Sequence, residues 1–185
     1  TAAGAEGTQT FNLSPSNNND NDAKVDWAAY YFPVKAGNNE FNNYIAAFGG
    51  IHSDYAPTLN PYFEDYDGGN GALSTFASEN PIYRIGGGAG VGTTYKFGKN
   101  SVTLGYLANN ANNSSDGNGL FNGNYAILGH ANVGISDNIN LGLTYVNGYF
   151  DAATPTFNAG GTNAVVGTRL ANGIGQSRET NTYGA

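Results

Sequence analysis

Cysteine is absent from this chain of 185 residues, which excludes disulfide scaffolds, cysteine-based zinc sites and thiol catalysis. Long apolar runs are also missing: no stretch of about 18 apolar residues occurs, so the sequence predicts no transmembrane helix. Charged residues are scarce, at 11% of the chain against about 25% in an average soluble domain. The net charge is -7 and no basic stripe occurs, which argues against a nucleic-acid partner.

Glycine and aromatic residues are abundant in place of the missing charges. The chain has 28 glycines, and Phe, Trp and Tyr together make up 13% of its residues. From Gly88 to Phe97 the odd positions are mainly apolar or aromatic, whereas the even positions carry glycine, threonine or lysine. A period of two is the repeat of a strand, because successive side chains point to opposite faces. The turn Gly98-Lys99-Asn100 and a second alternating stretch complete a predicted β-hairpin.

Similar alternation along the chain predicts an all-β protein. Strands are expected near residues 24–34, 40–51, 82–97, 101–109, 124–135 and 139–149, with the start of another at 179–185. Short turns between strands alternate with long connections at 52–81, 110–123 and 151–177. Short turns on one side and long loops on the other are typical of a transmembrane antiparallel β-barrel. Because bacterial barrels close with an even number of strands, eight or more, we expect residues 1–185 to be one partial barrel domain of a larger barrel.

The glycine run "GGGAGVG" at residues 86–92 raises the question of a phosphate-binding loop. A dinucleotide fingerprint fails because Val91 stands where the third glycine would follow Gly86 and Gly88. A Walker loop fails because Gly98-Lys99 is followed by Asn100 and a strand rather than by Ser or Thr and a helix. The glycines are therefore interpreted as backbone on the inner face of a strand.

The stretch "PTLNPYFEDYDGGNGALSTFASENPIYRIGGGAGVGTTYKF" and the later hairpins "SVTLGYLANNANN" and "INLGLTYVNGY" carry a family resemblance. They resemble the cyanobacterial branch of the carbohydrate-selective porin family, often called iron-uptake porins, over most of residues 24–150. The resemblance implies a trimeric porin of about 16 strands in the lipid of the cell outer membrane. It implies passive diffusion of small hydrophilic solutes or inorganic ions, iron among them, with no catalytic residue and no cofactor. It also implies cell-wall attachment through an N-terminal S-layer homology domain outside this chain.

The long connection 52–81 is rich in carboxylates, and the resemblance suggests that it folds inward and narrows the pore. Its acids would then face Arg84 and Lys96, which the strand alternation places inward, and His130 is predicted on the same lumen face. The alternative is a solvated surface loop that carries acidic residues. The pore-lining candidates are Arg84, Lys96, Asp54, Glu64, Asp65, Asp67, Glu79 and His130.

Aromatic residues near the ends of the apolar faces predict an interfacial girdle, with core packing in a soluble barrel as the alternative. The girdle candidates are Trp27, Tyr31, Tyr95, Phe97, Tyr106, Tyr125 and Tyr145. Two acidic loops, "EDYDGGNG" and "SSDGNG", look like calcium loops. Counted from Asn112, however, the twelfth position is Gly123 rather than Glu, so turn chemistry is favoured and no metal site is predicted.

Two other classes of protein fit parts of the pattern. A soluble or surface-attached β-sandwich that binds carbohydrate or acts as an adhesin would use Asn, Asp and Tyr in its loops. A lipase-like barrel enzyme would need His130 beside a serine such as Ser101 or Ser136, and the chain has no G-x-S-x-G elbow. The expected function therefore remains a porin rather than an enzyme.

Overall fold

The computed structural model describes residues 25, 27–37, 39–60 and 78–185. Within these ranges seven antiparallel strands form one sheet in chain order, so the predicted all-β antiparallel fold is confirmed. The strands are β1 (Ala28–Ala36), β2 (Asn39–Gly50), β3 (Gly88–Phe97), β4 (Asn100–Ala108), β5 (Tyr125–Gly134), β6 (Asn140–Phe150) and β7 (Arg178–Gly184). The sheet formed by the described residues is not closed, and β1 and β7 are its two edges.

Short helices lie between the strands. Two 3₁₀ helices span His52–Asp54 and Pro81–Arg84, and a four-residue helix, α1, spans Arg169–Asn172. The described part of the chain holds no helix that is long and apolar enough to cross a membrane.

The second 3₁₀ helix corrects the expected strand at 82–97, which begins only at Gly88. Pro81 occupies the first turn of this helix, and the side chain of Asn80 accepts a hydrogen bond from the backbone N–H of Ile82 at 3.1 Å. These two residues together start a helix. Proline has a fixed φ that suits the first helical turn, and the asparagine side chain accepts from a backbone N–H that has no partner within the helix. Arg84 therefore lies on this helix, and strand alternation does not determine where it points.

The two faces of the sheet differ in chemistry. On one face, which we call the apolar face, large side chains are exposed; they include Ile45, Val91, Leu104, Ile127 and Leu143. On the other, which we call the covered face, two pieces of the connection between β2 and β3 lie against the strands. We call residues 52–60 the crossing segment; the second piece, residues 78–87, contains the second 3₁₀ helix.

The main hydrophobic cluster forms where residues 78–87 meet the covered face. Ile82 and Ile85 pack there against Leu128, Val146 and Phe150, and all five are almost fully buried. Burying a side chain of this size contributes about 1.5–3 kcal/mol, so the cluster holds the connection firmly on the sheet. A smaller cluster joins Tyr44, Ala46 and Leu107.

Candidate functional site

Glycines allow the crossing segment to lie flat on the covered face. A Cβ atom added to Gly92 of β3 would lie 2.5 Å from the ring of Tyr55, and one added to Gly105 of β4 would lie closer still. One added to Gly142 of β6 would lie 2.8 Å from Leu59. Real Cβ atoms essentially never approach within 3.0 Å, so only glycine permits this depth of packing. The glycines of these strands thus serve close approach by protein rather than by phosphate.

Asp54 anchors the start of the crossing segment. Its Oδ2 accepts hydrogen bonds from the hydroxyl of Tyr44 at 2.6 Å and from the backbone N–H of Ile51 at 2.9 Å. The hydroxyl of Tyr31 donates to the Asp54 carbonyl at 3.2 Å, and Trp27 Nε1 donates to the Tyr44 hydroxyl at 3.1 Å. Trp27 and Tyr31 therefore lie beside Tyr44 on the covered face, whereas the girdle prediction required them on the apolar face.

His52 and Tyr55 are buried against each other at the turn where the crossing segment begins. His52 is fully buried, and its Nδ1 is hydrogen-bonded to the hydroxyl of Tyr55. Burial lowers the pKa of His52 to about 3, because the charged imidazolium would lose its hydration there. Burial likewise raises the pKa of Tyr55 well above its usual value. Both side chains are therefore neutral at ordinary pH, and they anchor the segment without adding charge.

Tyr83 links the connection to the middle of the sheet. Its hydroxyl lies 3.1 Å from Thr144 Oγ1 and 3.3 Å from His130 Nδ1, and it donates to the carbonyl of Pro57 at 3.3 Å. His130 also contacts the Thr144 hydroxyl at 2.9 Å and is 3% exposed. His130 thus lies on the covered face, beneath the connection. There it packs against the connection and is not exposed to solvent.

The charged side chains of this region occupy two settings. Glu79 and Arg84 form an ion pair with only 1% and 12% of their side chains exposed. Loss of either partner would destabilise the protein, because the other charge would then be buried and uncompensated. Asp54 and Lys96 instead line a cleft of about 310 Å³ beside Tyr31.

Five girdle candidates lie on the apolar face, where each ring contacts another aromatic ring. Tyr95 stacks on Phe97 at 5.3 Å near a short turn, and Tyr106 stacks on Tyr125 at 5.8 Å near the long loops. Tyr145 packs against Tyr183 nearer the middle of the sheet. The first two pairs lie toward opposite ends of the strands.

Sequence reasoning missed Arg178, the first residue of β7. Its guanidinium donates to the hydroxyl of Thr156 at 2.8 Å and to the carbonyl of Thr154 at 2.8 Å, inside the loop between β6 and β7. The available signal was the scarcity of cations, because this is one of only seven Lys and Arg residues in the chain.

Three of the predicted acidic candidates, Glu64, Asp65 and Asp67, lie outside the described residues. In the part of the chain that the structure does describe, no group of three or more His, Asp or Glu side chains is arranged to hold a metal ion.

Comparison with known proteins gives a family and two relatives. Residues 1–184 match the family model described as carbohydrate-selective porin, OprB family. An uncharacterized protein of Nostoc sp. (strain PCC 7120) is 46% identical over 193 residues, which cover 98% of this chain and 32% of the relative. An uncharacterized protein of Synechocystis sp. (strain PCC 6803) is 31% identical over 155 residues, which cover 83% of this chain and 27% of the relative. The chain thus spans about a third or less of each relative's length. No solved structure matches.

Proposed function

This chain belongs to the OprB family of carbohydrate-selective porins, and from that premise we propose that its sheet is part of the wall of an outer-membrane channel. Small hydrophilic solutes cross such a channel by passive diffusion. One observation carries the proposal: the crossing segment lies across a face rich in glycine and threonine, while the opposite face exposes large apolar side chains. Lipid suits the apolar face, and a hydrated lumen suits the covered face.

The crossing segment is the proposed constriction. In a closed barrel the covered face would point inward, so residues 52–60 would narrow the lumen near the middle of the strands. Asp54 and Lys96 would offer opposite charges to a passing solute in the cleft beside Tyr31. Selectivity then arises from width and charge, and no covalent bond is made or broken, so the proposed function is not enzymatic.

Closure of the barrel requires strands beyond the seven described here. The free backbone groups of β1 and β7 would be unsatisfied in lipid, so we propose that residues 1–185 form part of a barrel of about 16 strands. We also propose attachment to the cell wall through an additional domain. The support for this domain is the length of the relatives, which are about three times as long as this chain.

A homotrimer is proposed from a polar group on the apolar face. Asn147 donates to Glu179 at 3.1 Å and to Asn181 at 3.2 Å, and Tyr145 donates to the same Asn181 oxygen at 2.5 Å. Carboxylate and amide groups are costly against lipid, so contact with another subunit would suit this part of β6 and β7 better.

The proposed permeants are sugars and small inorganic ions. The family description names carbohydrate, while 14 acidic against 7 basic residues favour cations at the channel mouth, and these include soluble iron. Neutral sugars respond to pore width alone, whereas ions respond to charge as well, so a comparison of the two fluxes separates them.

The test is single-channel recording of the intact, detergent-extracted protein in a planar bilayer under a salt gradient. Discrete conductance steps, partly blocked by an added monosaccharide, are expected. A folded sample that gives no steps would overturn the proposal. Release of the protein into buffer without detergent would favour the soluble carbohydrate-binding alternative instead.

A further inference from the structure

The loop between β6 and β7, residues 151–177, has a fixed internal structure. Asn158 and Asn172 are 1% and 0% exposed, yet both are satisfied within the loop. The Asn158 side chain donates to the carbonyl of Pro155 at 2.8 Å, and that of Asn172 donates to Val166 at 2.9 Å. Buried and fully bonded amides of this kind hold a loop in one conformation.

This loop is bonded to the end of the second 3₁₀ helix. The backbone N–H of Gly86 donates to the carbonyl of Thr156 at 3.2 Å, and the N–H of Ala159 donates to the carbonyl of Arg84 at 3.0 Å. Two backbone hydrogen bonds therefore connect the loop with residues 84–86, and one of them is made by Arg84, the cation of the buried ion pair. A displacement of residues 156–159 would move that pair.

Arg178 holds the same residues from the other side. Its Nε and Nη2 both donate to Thr156 Oγ1, at 3.0 and 2.8 Å, Nη2 also donates to the Thr154 carbonyl at 2.8 Å, and Nη1 donates to Gly173 at 3.0 Å. The guanidinium carbon also lies 5.4 Å from the ring centre of Phe150. Only arginine can supply this planar set of donors, since a lysine offers its donors from a single point.

We propose that Arg178 is a positioning residue that, through Thr156, fixes the Glu79–Arg84 ion pair beside the crossing segment. Tyr83, next to Arg84, donates to the carbonyl of Pro57 in that segment. The inference rests on the proposed channel function, which assigns the covered face to the lumen. Arg178 acts on the pair indirectly. It keeps the loop in place, the loop keeps residues 84–86 in place, and the conductance of the open channel follows from their position.

Recordings on variants of the intact protein test the inference. Arg178→Lys keeps the charge but loses the planar donors, and Arg178→Gln loses both. In each variant we expect the time spent away from the main conductance level to rise about tenfold or more, because hydrogen bonds to a charged group are worth roughly this factor each. Arg169→Gln is the matched control, since Arg169 is exposed on the same loop.

Limited trypsin digestion gives a readout that does not depend on conduction. Arg84 is protected in the folded protein by its ion pair and by Ala159, so cleavage after Arg84 should be slow in the wild type and in Arg169→Gln. It should accelerate about tenfold in both Arg178 variants if the loop releases residues 84–86. Folding is checked by the shift in electrophoretic mobility on heating.

The outcomes are separable. Wild-type protein without conductance steps would remove the channel function itself. Wild-type channels together with Arg178 variants that match Arg169→Gln in both conductance and cleavage would overturn the role of Arg178. If the Arg178 variants do not fold, Thr156→Val replaces them, because it deletes only the hydroxyl that accepts two of the bonds. The same two readouts are then expected to move in the same direction, and unchanged values would overturn the inference.

Discussion

Gly105 shows how one missing methyl group sets the position of the crossing segment. Its φ lies outside the left-handed region, so alanine would fit the backbone, and the three atoms nearest to its Cβ would all belong to the side chain of Tyr55. We expect Gly105→Ala to lower the free energy of unfolding by about 1–3 kcal/mol, the usual cost of overpacking. Urea titration of the intact protein in detergent measures this loss.

Gly129→Ala is the control for that substitution. The nearest atom to a Cβ at Gly129 is Leu104 Cδ2 at 3.8 Å, an ordinary contact on the apolar face, so the stability should change by no more than about 0.5 kcal/mol. The cost of Gly105→Ala should also shrink in a Tyr55→Leu background, since the two sites are in contact. Equal losses at both glycines would contradict the steric account.

His52 makes the anchoring of the crossing segment sensitive to acid. Its pKa is lowered to about 3 in the folded protein from about 6.5 in the unfolded chain, so the unfolded chain binds more protons between these values. Stability from this residue is fully present above pH 6.5 and falls by at most about 1.4 kcal/mol per pH unit as the pH drops toward 3.

The measurement is the urea midpoint of the wild type and of His52→Gln between pH 7 and pH 4. Glutamine keeps a polar side chain that cannot be protonated. The difference between the two proteins should therefore narrow or reverse as the pH falls. Parallel curves would show that His52 has nearly the same pKa in the folded and the unfolded protein and that other groups govern the acid response.

At the scale of elements, alternation predicted β3 and β4 well. The sequence assigns Val91 and Leu104 to one face and Gly92 and Thr103 to the other, as the register of the hairpin shows. Alternation works at these positions because the two faces of the sheet meet different surroundings there.

The same rule failed where the connection packs on the sheet. Leu107, Val146 and Phe150 interrupt the polar pattern of the covered face, and each is fully buried beneath or beside the connection. Their apolar character comes from contacts with residues distant in the chain, which a local period does not reveal. The second 3₁₀ helix was missed for a related reason. The β-branched residues Ile82 and Ile85 favour a strand, but Asn80 and Pro81 determine the local structure.

We expect strand positions on the apolar face to tolerate a charged side chain poorly. Leu104 lies near the middle of β4 with 59% of its surface exposed, so Leu104→Lys would place an ammonium group against lipid. A loss of about 2–4 kcal/mol is expected for a cation at that depth. Asn138→Lys, in the exposed turn before β6, should leave stability nearly unchanged. Unfolding of the protein in lipid vesicles compares the two, and a harmless Leu104→Lys would argue against a lipid-facing surface.

At the scale of the whole molecule, the placement of the few charges is more informative than their number. Lys96 faces the cleft on the covered side, while Lys99 lies in an exposed turn and pairs with Asp137. Two carboxylates lie near Lys96 on this face: Glu40 is its partner in the pairing of β2 with β3, and Asp54 lines the same cleft. Removal of the Lys96 charge would therefore leave the Asp54 carboxylate in the cleft without a cation beside it. Charges that line a narrow pore are screened less than charges in open solvent, so this change should affect passing ions.

Ion preference should follow from this placement. With a net charge of -7 we expect the channel to prefer cations, and the preference should weaken from 0.01 M to 1 M salt, as the screening length falls from about 30 Å to about 3 Å. Lys96→Gln should move the reversal potential further toward cations, whereas Lys99→Gln should leave it unchanged because its charge lies outside the cleft. The flux of a neutral monosaccharide should respond to neither substitution nor to salt. Equal shifts from the two lysines would mean that the overall field, rather than the cleft beside Tyr31, selects the ions.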